Sequence, residues 1–116
     1  MGKMSKTKGK VGEREVAALL RQYGFNARRG QQFSGAVGDQ DIVSDMEGFH
    51  IEVKRVESLS IYAAMAQASR DARNGDAPLV FHRRSKKPWL VIMDAKEFLE
   101  IMRDYVYEKV PNETEE

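Results

Sequence analysis

The strongest constraint in this chain is a strand–turn–strand signal built around two carboxylates and a lysine. Asp41-Ile42-Val43 leads into a turn at Glu47-Gly48, and Phe49 to Val56 then alternates as a half-buried strand does. Side chains two apart on a strand share a face, so Glu52 and Lys54 project together while Ile51 and Val53 point into a core. A hairpin brings Asp41 beside Glu52. Two converging carboxylates, with a backbone carbonyl between them, make an all-oxygen site for a hard cation such as Mg²⁺. Lys54 beside that ion can orient a water or steady charge developing on phosphorus. The set suits metal-assisted cleavage of a phosphodiester. Glu-x-Lys on an exposed strand is also an ordinary surface pair; Glu13 and the order of the surrounding elements favour the chemical reading.

The rest of the chain supplies that order. Val11 to Tyr23 has helical periodicity and stops at Gly24. Val16, Ala17 and Leu20 share one face of it with Glu13, which puts a carboxylate on the stripe that packs toward a sheet. Phe25 to Arg28 reads as a short strand, and Gly30 to Gly38, with Ser34 inside it, as a loop. The hairpin from Asp39 to Val56 follows, then an alanine-rich helix from Ser58 to Arg73 ending near Asn74-Gly75. Pro78–His82 and Trp89–Met93 read as strands joined by a polar turn. Asp94 caps a last helix in which Glu97 completes a capping box, with Phe98, Leu99, Met102, Tyr105 and Val106 as its inward face; the alternative is that some of this generous apolar set, or Trp89, forms a dimer interface. This predicts an α/β domain with a mixed sheet in the order αβββαββα, the middle helix making a right-handed crossover.

Length and charge set the frame. A chain of 116 residues, 41% hydrophobic and 32% charged, makes one domain, placed at residues 11–110. It has no cysteine, so disulfides and thiolate metal sites are excluded. No apolar run approaches a membrane span and no signal-peptide core opens the chain, so a cytoplasmic location is expected. The net charge of +1 hides an uneven distribution. Lys3, Lys6, Lys8 and Lys10 make residues 1–10 a basic, flexible arm that either meets nucleic acid or aids solubility. Glu113, Glu115 and Glu116 make residues 111–116 an acidic, disordered tail. Arg83, Arg84, Lys86 and Lys87 form either a solvated hairpin tip or a clamp on the DNA backbone. His50 and His82 read as ordinary strand residues. The single tryptophan, Trp89, reads as packing, so no base-stacking platform is indicated.

Gly9-Lys10-Val11-Gly12-Glu13-Arg14-Glu15, Gly24-Phe25, Arg29 before a serine-bearing loop, Asp41-Ile42-Val43 and Ile51-Glu52-Val53-Lys54 occur in an order that resembles the archaeal-type Holliday junction resolvases. These belong to the PD-(D/E)XK nuclease superfamily, and a phage-type member is an open alternative. The resemblance runs from about Lys8 to Phe98. It implies a restriction-endonuclease-like fold, a mixed five-stranded sheet flanked by helices, and a homodimer acting on branched or duplex DNA with Mg²⁺, or Mn²⁺ as a substitute. It implies Asp41, Glu52 and the Val53 carbonyl as metal ligands and Lys54 as the catalytic lysine. Glu13 completes the site through a water, and Arg29 and Ser34 lie beside the scissile phosphate. Lys10 joins Arg29 and the Arg83–Lys87 turn in a basic surface. The loop before Asp41 reads Gly38-Asp39-Gln40 and lacks the family's proline, so Asp39 is an alternative for the metal role; Asp41 is preferred because the apolar pair after it sets the strand, whereas Asp39 falls in the loop. Gln67 resembles a glutamine used near the site by related nucleases; a solvent-facing helical glutamine is the alternative.

Three functions fit these residues: a metal-dependent, structure-selective Holliday junction resolvase, a small endonuclease of the same superfamily cutting flaps, nicks or duplex, and a DNA-binding module that performs no cleavage. The intact acidic and lysine positions speak against the third.

Overall fold

A computed structural model of the chain describes residues 2–30 and 41–109, with side chains from Gly9 to Glu108. The first helix, α1 (Gly2–Gln22), starts well before the expected Val11. Lys and Met are strong helix formers and no proline interrupts them, so residues 2–10 continue the helix where a separate arm was expected. Gly24, at φ +91°, ends it: Phe25 N–H donates to Leu20 O and Gly24 N–H to Arg21 O, the pairing of a left-handed helix stop.

The remaining elements are β1 (Ala27–Arg29), β2 (Ile42–Ser44), β3 (Phe49–Arg55), α2 (Ile61–Asp71), β4 (Ala77–Arg83), β5 (Leu90–Ile92) and α3 (Ala95–Lys109), in the predicted αβββαββα order. The strands form one sheet in sequential order, β1-β2-β3-β4-β5. The pairings are antiparallel except for β3 with β4, which run parallel over the crossover helix α2. That parallel ladder is the backbone of the domain, from Phe49↔Ala77 to Arg55↔Arg83.

Alternation on these strands divides the core in two. Ile51, Val53, Leu79 and Phe81, with Ile42, pack against Val16, Ala17 and Leu20 of α1. Val80 packs against Ala64 and Ala68 of α2 on the other face. Truncating a fully buried residue such as Ile51 to alanine removes about 2–5 kcal/mol. Gly12 lets α1 lie close on β3: a Cβ there would stand 2.9 Å from Arg55 Cβ and 3.3 Å from Val53 Cγ1.

The last helix departs from expectation. Asp94 caps it, Oδ1 accepting Lys96 N–H at 2.8 Å, but its apolar set does not turn inward. Phe98, Leu99, Tyr105 and Val106 remain roughly half exposed, because α1 and α2 already cover the two faces of the sheet. No helix among the described residues is long and apolar enough to cross a membrane.

Candidate active site

The site forms where β2 and β3 part. The two strands pair at Ile42↔Ile51, and the residue before Ile42 holds the last rung: Asp41 N–H donates to Ile51 O at 3.2 Å. Beyond that rung the backbone N–H of Val53 has lost its strand partner, and the carboxylate of Asp41 replaces it, Oδ2 accepting the Val53 N–H at 2.7 Å. The N–H and C=O of one strand residue project from the same edge. The Val53 carbonyl therefore points toward β2 as well, on the side of Asp41.

Asp41 and Glu52 are both buried. Burial, followed by the Glu52 carboxylate beside it, pushes the Asp41 carboxyl from 3.8 up to about 7; the Val53 N–H opposes this, and Glu13 adds a weaker push. Two acids are thus held together out of water at a mutual electrostatic cost. With a backbone carbonyl on the same side, they are oxygen donors of the kind that could hold a hard divalent cation. Among the described residues no three His, Asp or Glu side chains are grouped so as to hold a metal ion by themselves.

Lys54 is half-buried on the α2 face of β3, and its Nζ donates to Gln67 Oε1 at 3.1 Å. Gln67 therefore faces the site from α2 and not the solvent. Glu13 reaches toward the pair from α1, and its Oε1 accepts the Nε–H of Arg29 at 2.9 Å. Arg29, expected beside the phosphate, is thus engaged with Glu13. Ser34 and Asp39 lie outside the described residues.

The basic surface is only partly as expected. Lys10 is exposed on α1, and Arg84, Lys86 and Lys87 are exposed on the β4–β5 turn. Arg83 is occupied elsewhere. Its Nη1 donates to Glu15 Oε1 at 2.6 Å and its Nε to Lys87 O at 2.6 Å, so it fastens the turn to α1. Trp89 Nε1 donates to the same Glu15 oxygen at 3.0 Å, and Arg55 Nε lies 3.4 Å from Oε2 in an ion pair without hydrogen-bond geometry.

Two residues make contacts that the sequence reading did not assign. Glu15, read only as the last residue of the helix motif, is one: its partners Arg83 and Trp89 lie far along the chain, so no local signal shows what it holds. His50 is the other. Its Nε2 lies 2.7 Å from Glu52 Oε1, and its place two residues before Glu52 on a strand was the available signal. His82, by contrast, bonds among the described residues to the Val56 carbonyl, at 3.0 Å, as an ordinary strand residue would.

This architecture is shared with known proteins. The chain superposes on a Holliday junction resolvase from the archaeal hyperthermophile Archaeoglobus fulgidus with a TM-score of 0.58. The two are 23% identical, and the match covers 72% of this chain and 75% of the other, a likeness of fold. No curated relative matches. The family described as "Phage putative PDDEXK endonuclease" matches residues 4–115, nearly the whole chain, and this protein belongs to that PD-(D/E)XK endonuclease family.

Proposed function

We propose that the protein is a metal-dependent, structure-selective DNA endonuclease, a Holliday junction resolvase that works as a homodimer. The observation that carries the reading is the buried Asp41–Glu52 pair, whose repulsion a divalent cation would relieve. Mg²⁺ held there, with Mn²⁺ as a substitute, supplies a Lewis acid and a water of lowered pKa. Asp41, Glu52 and the Val53 carbonyl are the groups that would hold it. Asp41 is fixed by its bond to Val53 N–H. Lys54, steadied by Gln67, carries a positive charge to the edge of the pair, where it orients the attacking water or offsets charge on the phosphate. Glu13 would complete the site from α1 through a water; Arg29, now paired with it, would reach the phosphate only by leaving that pair.

Two features support junction cleavage by a dimer. The fold likeness is to a junction resolvase. The exposed apolar side chains Phe98, Leu99, Tyr105 and Val106 of α3 offer a surface that a second copy could cover, and two-fold symmetry suits paired cuts on opposing strands. Lys10, Arg84, Lys86 and Lys87 contribute phosphate contacts that carry no sequence information. Family membership does not itself restrict the substrate.

The deciding experiment offers a four-way junction, a flap and a linear duplex of equal sequence, with Mg²⁺ or with EDTA. Cleavage of the junction in preference to the others, abolished by EDTA and by Asp41→Asn or Glu52→Gln, is expected. Equal cutting of duplex by a protein that light scattering finds monomeric removes the resolvase reading in favour of a small endonuclease. Full activity in Asp41→Asn removes the site assignment.

A further inference from the structure

His50 is completely buried, yet nothing in the mechanism above uses it. It stands two residues before Glu52 on β3, on the same face, with Nε2 2.7 Å from Glu52 Oε1. Its other ring nitrogen, Nδ1, is buried with no hydrogen-bond partner among the described residues.

The contact is a hydrogen bond, and with Glu52 as the ionised acceptor its donor is the ring Nε2–H, since a bare nitrogen would then set two acceptors against each other. The other side of the ring is a liability, since an unpartnered buried polar atom costs about 1–3 kcal/mol. An aliphatic residue would avoid it, and the neighbouring buried positions Ile51, Val53 and Val80 are aliphatic. What a histidine supplies at this position, and an aliphatic residue cannot, is a donor to Glu52.

We propose that His50 is a positioning residue for the cation site. Its Nε2–H pins one oxygen of Glu52, which fixes the rotation of the carboxylate and leaves the other oxygen to face Asp41 and the ion the two share. The inference rests on the metal-dependent reading given above. A glutamate has three side-chain torsions, and an untethered one must be frozen when it takes up a ligand. A bonded partner behind it meets that cost in advance, and losing such a partner typically weakens metal binding or activity by about 10–100-fold. His50 touches neither the ion nor the DNA; it acts through Glu52.

The test uses the full chain and Mn²⁺ alone as the probe, with affinity measured by isothermal titration calorimetry. His50→Leu keeps the bulk and removes the donor, while His50→Gln places an amide N–H near the position of Nε2. His50→Leu is expected to weaken Mn²⁺ binding by about 10–100-fold. It should raise the Mg²⁺ concentration needed for half-maximal junction cleavage, with kcat largely recovered at saturating Mg²⁺. His50→Gln is expected to restore most of the affinity. A purely structural histidine predicts a changed melting temperature in both variants with Mn²⁺ affinity untouched, and that result overturns the proposal. Should the variants fail to fold, ¹⁵N spectra of the wild-type imidazole decide: a proton on Nε2, and ring shifts that move as diamagnetic Mg²⁺ fills the same site, support it. A proton on Nδ1 alone overturns it. Wild-type protein that takes up no Mn²⁺ overturns the metal reading itself, whereas wild-type binding matched by folded His50→Leu removes only the role of His50.

Discussion

Asp41→Asn should make the metal-free protein more stable while removing its activity. The wild-type carboxyl titrates at about 7 instead of 3.8, chiefly because it is buried and secondarily because Glu52 is beside it. Its folded-state pKa lies above the unfolded value, so the native state binds the proton more tightly. Stability is therefore full below pH 3.8, declines as pH rises to about 7, and is flat above that. At about 1.4 kcal/mol per tenfold change in proton affinity, the ionised pair costs the metal-free fold on the order of 4 kcal/mol at pH 8. Asparagine removes the charge but keeps an oxygen for the Val53 N–H now held at 2.7 Å, and its amide can donate to Glu52. The gain at pH 8 should thus be about 2–4 kcal/mol, shrinking toward zero near pH 4. Denaturant titrations in EDTA at both pH values read it directly, as a shift in midpoint without a change in slope. Mg²⁺ should reverse the order, stabilising the wild type by mass action and leaving the variant unmoved. An Asp41→Asn protein no more stable than wild type at pH 8, or one whose advantage is the same at pH 4, would refute the reasoning.

Gly12→Ala should destabilise by about 1–3 kcal/mol despite alanine's better helix propensity, because its Cβ would meet Arg55 Cβ at 2.9 Å; cleavage should fall with it as α1 lifts Glu13 away, and a rise in melting temperature would contradict this. Glu15→Ala should cost about 1–3 kcal/mol by stranding Arg83 and Trp89 Nε1. Turnover per folded molecule should be retained, because Glu15 faces the β4–β5 side; a large loss of turnover in folded protein would place Glu15 in the site. Replacing exposed Lys86 and Lys87 by alanine should weaken DNA binding uniformly across sequences and flatten its salt dependence by about one unit of slope for each phosphate left without its lysine. Arg83→Ala should instead register mainly in stability, and equilibrium binding over a salt series together with thermal melts separates the two.

Much of this protein was legible before folding because the physics involved is local. Strand alternation around Ile51 and Val53, the glycine stop at Gly24 and the Asp94 cap are set by neighbours a few residues away, and they determine the order αβββαββα. The convergence of Asp41 with Glu52 follows from the same hairpin and was equally readable. Even the His50–Glu52 bond lay in plain spacing; what the spacing lacked was the knowledge that this face is sealed from water, which depends on α2 packing Ala64 and Ala68 against Val80. Other features belong to the tertiary structure alone. Arg83 looked like a free cation until Glu15, distant along the chain, came within 2.6 Å. Gly12 had no role in the sequence reading, and its need for a bare backbone shows only where β3 lies against it. The apolar stripe of α3 looked like core, and only the packed sheet, with both faces already covered, left it facing outward. Periodicity reports that a side chain wants a partner; which partner it meets depends on elements brought together from far along the chain.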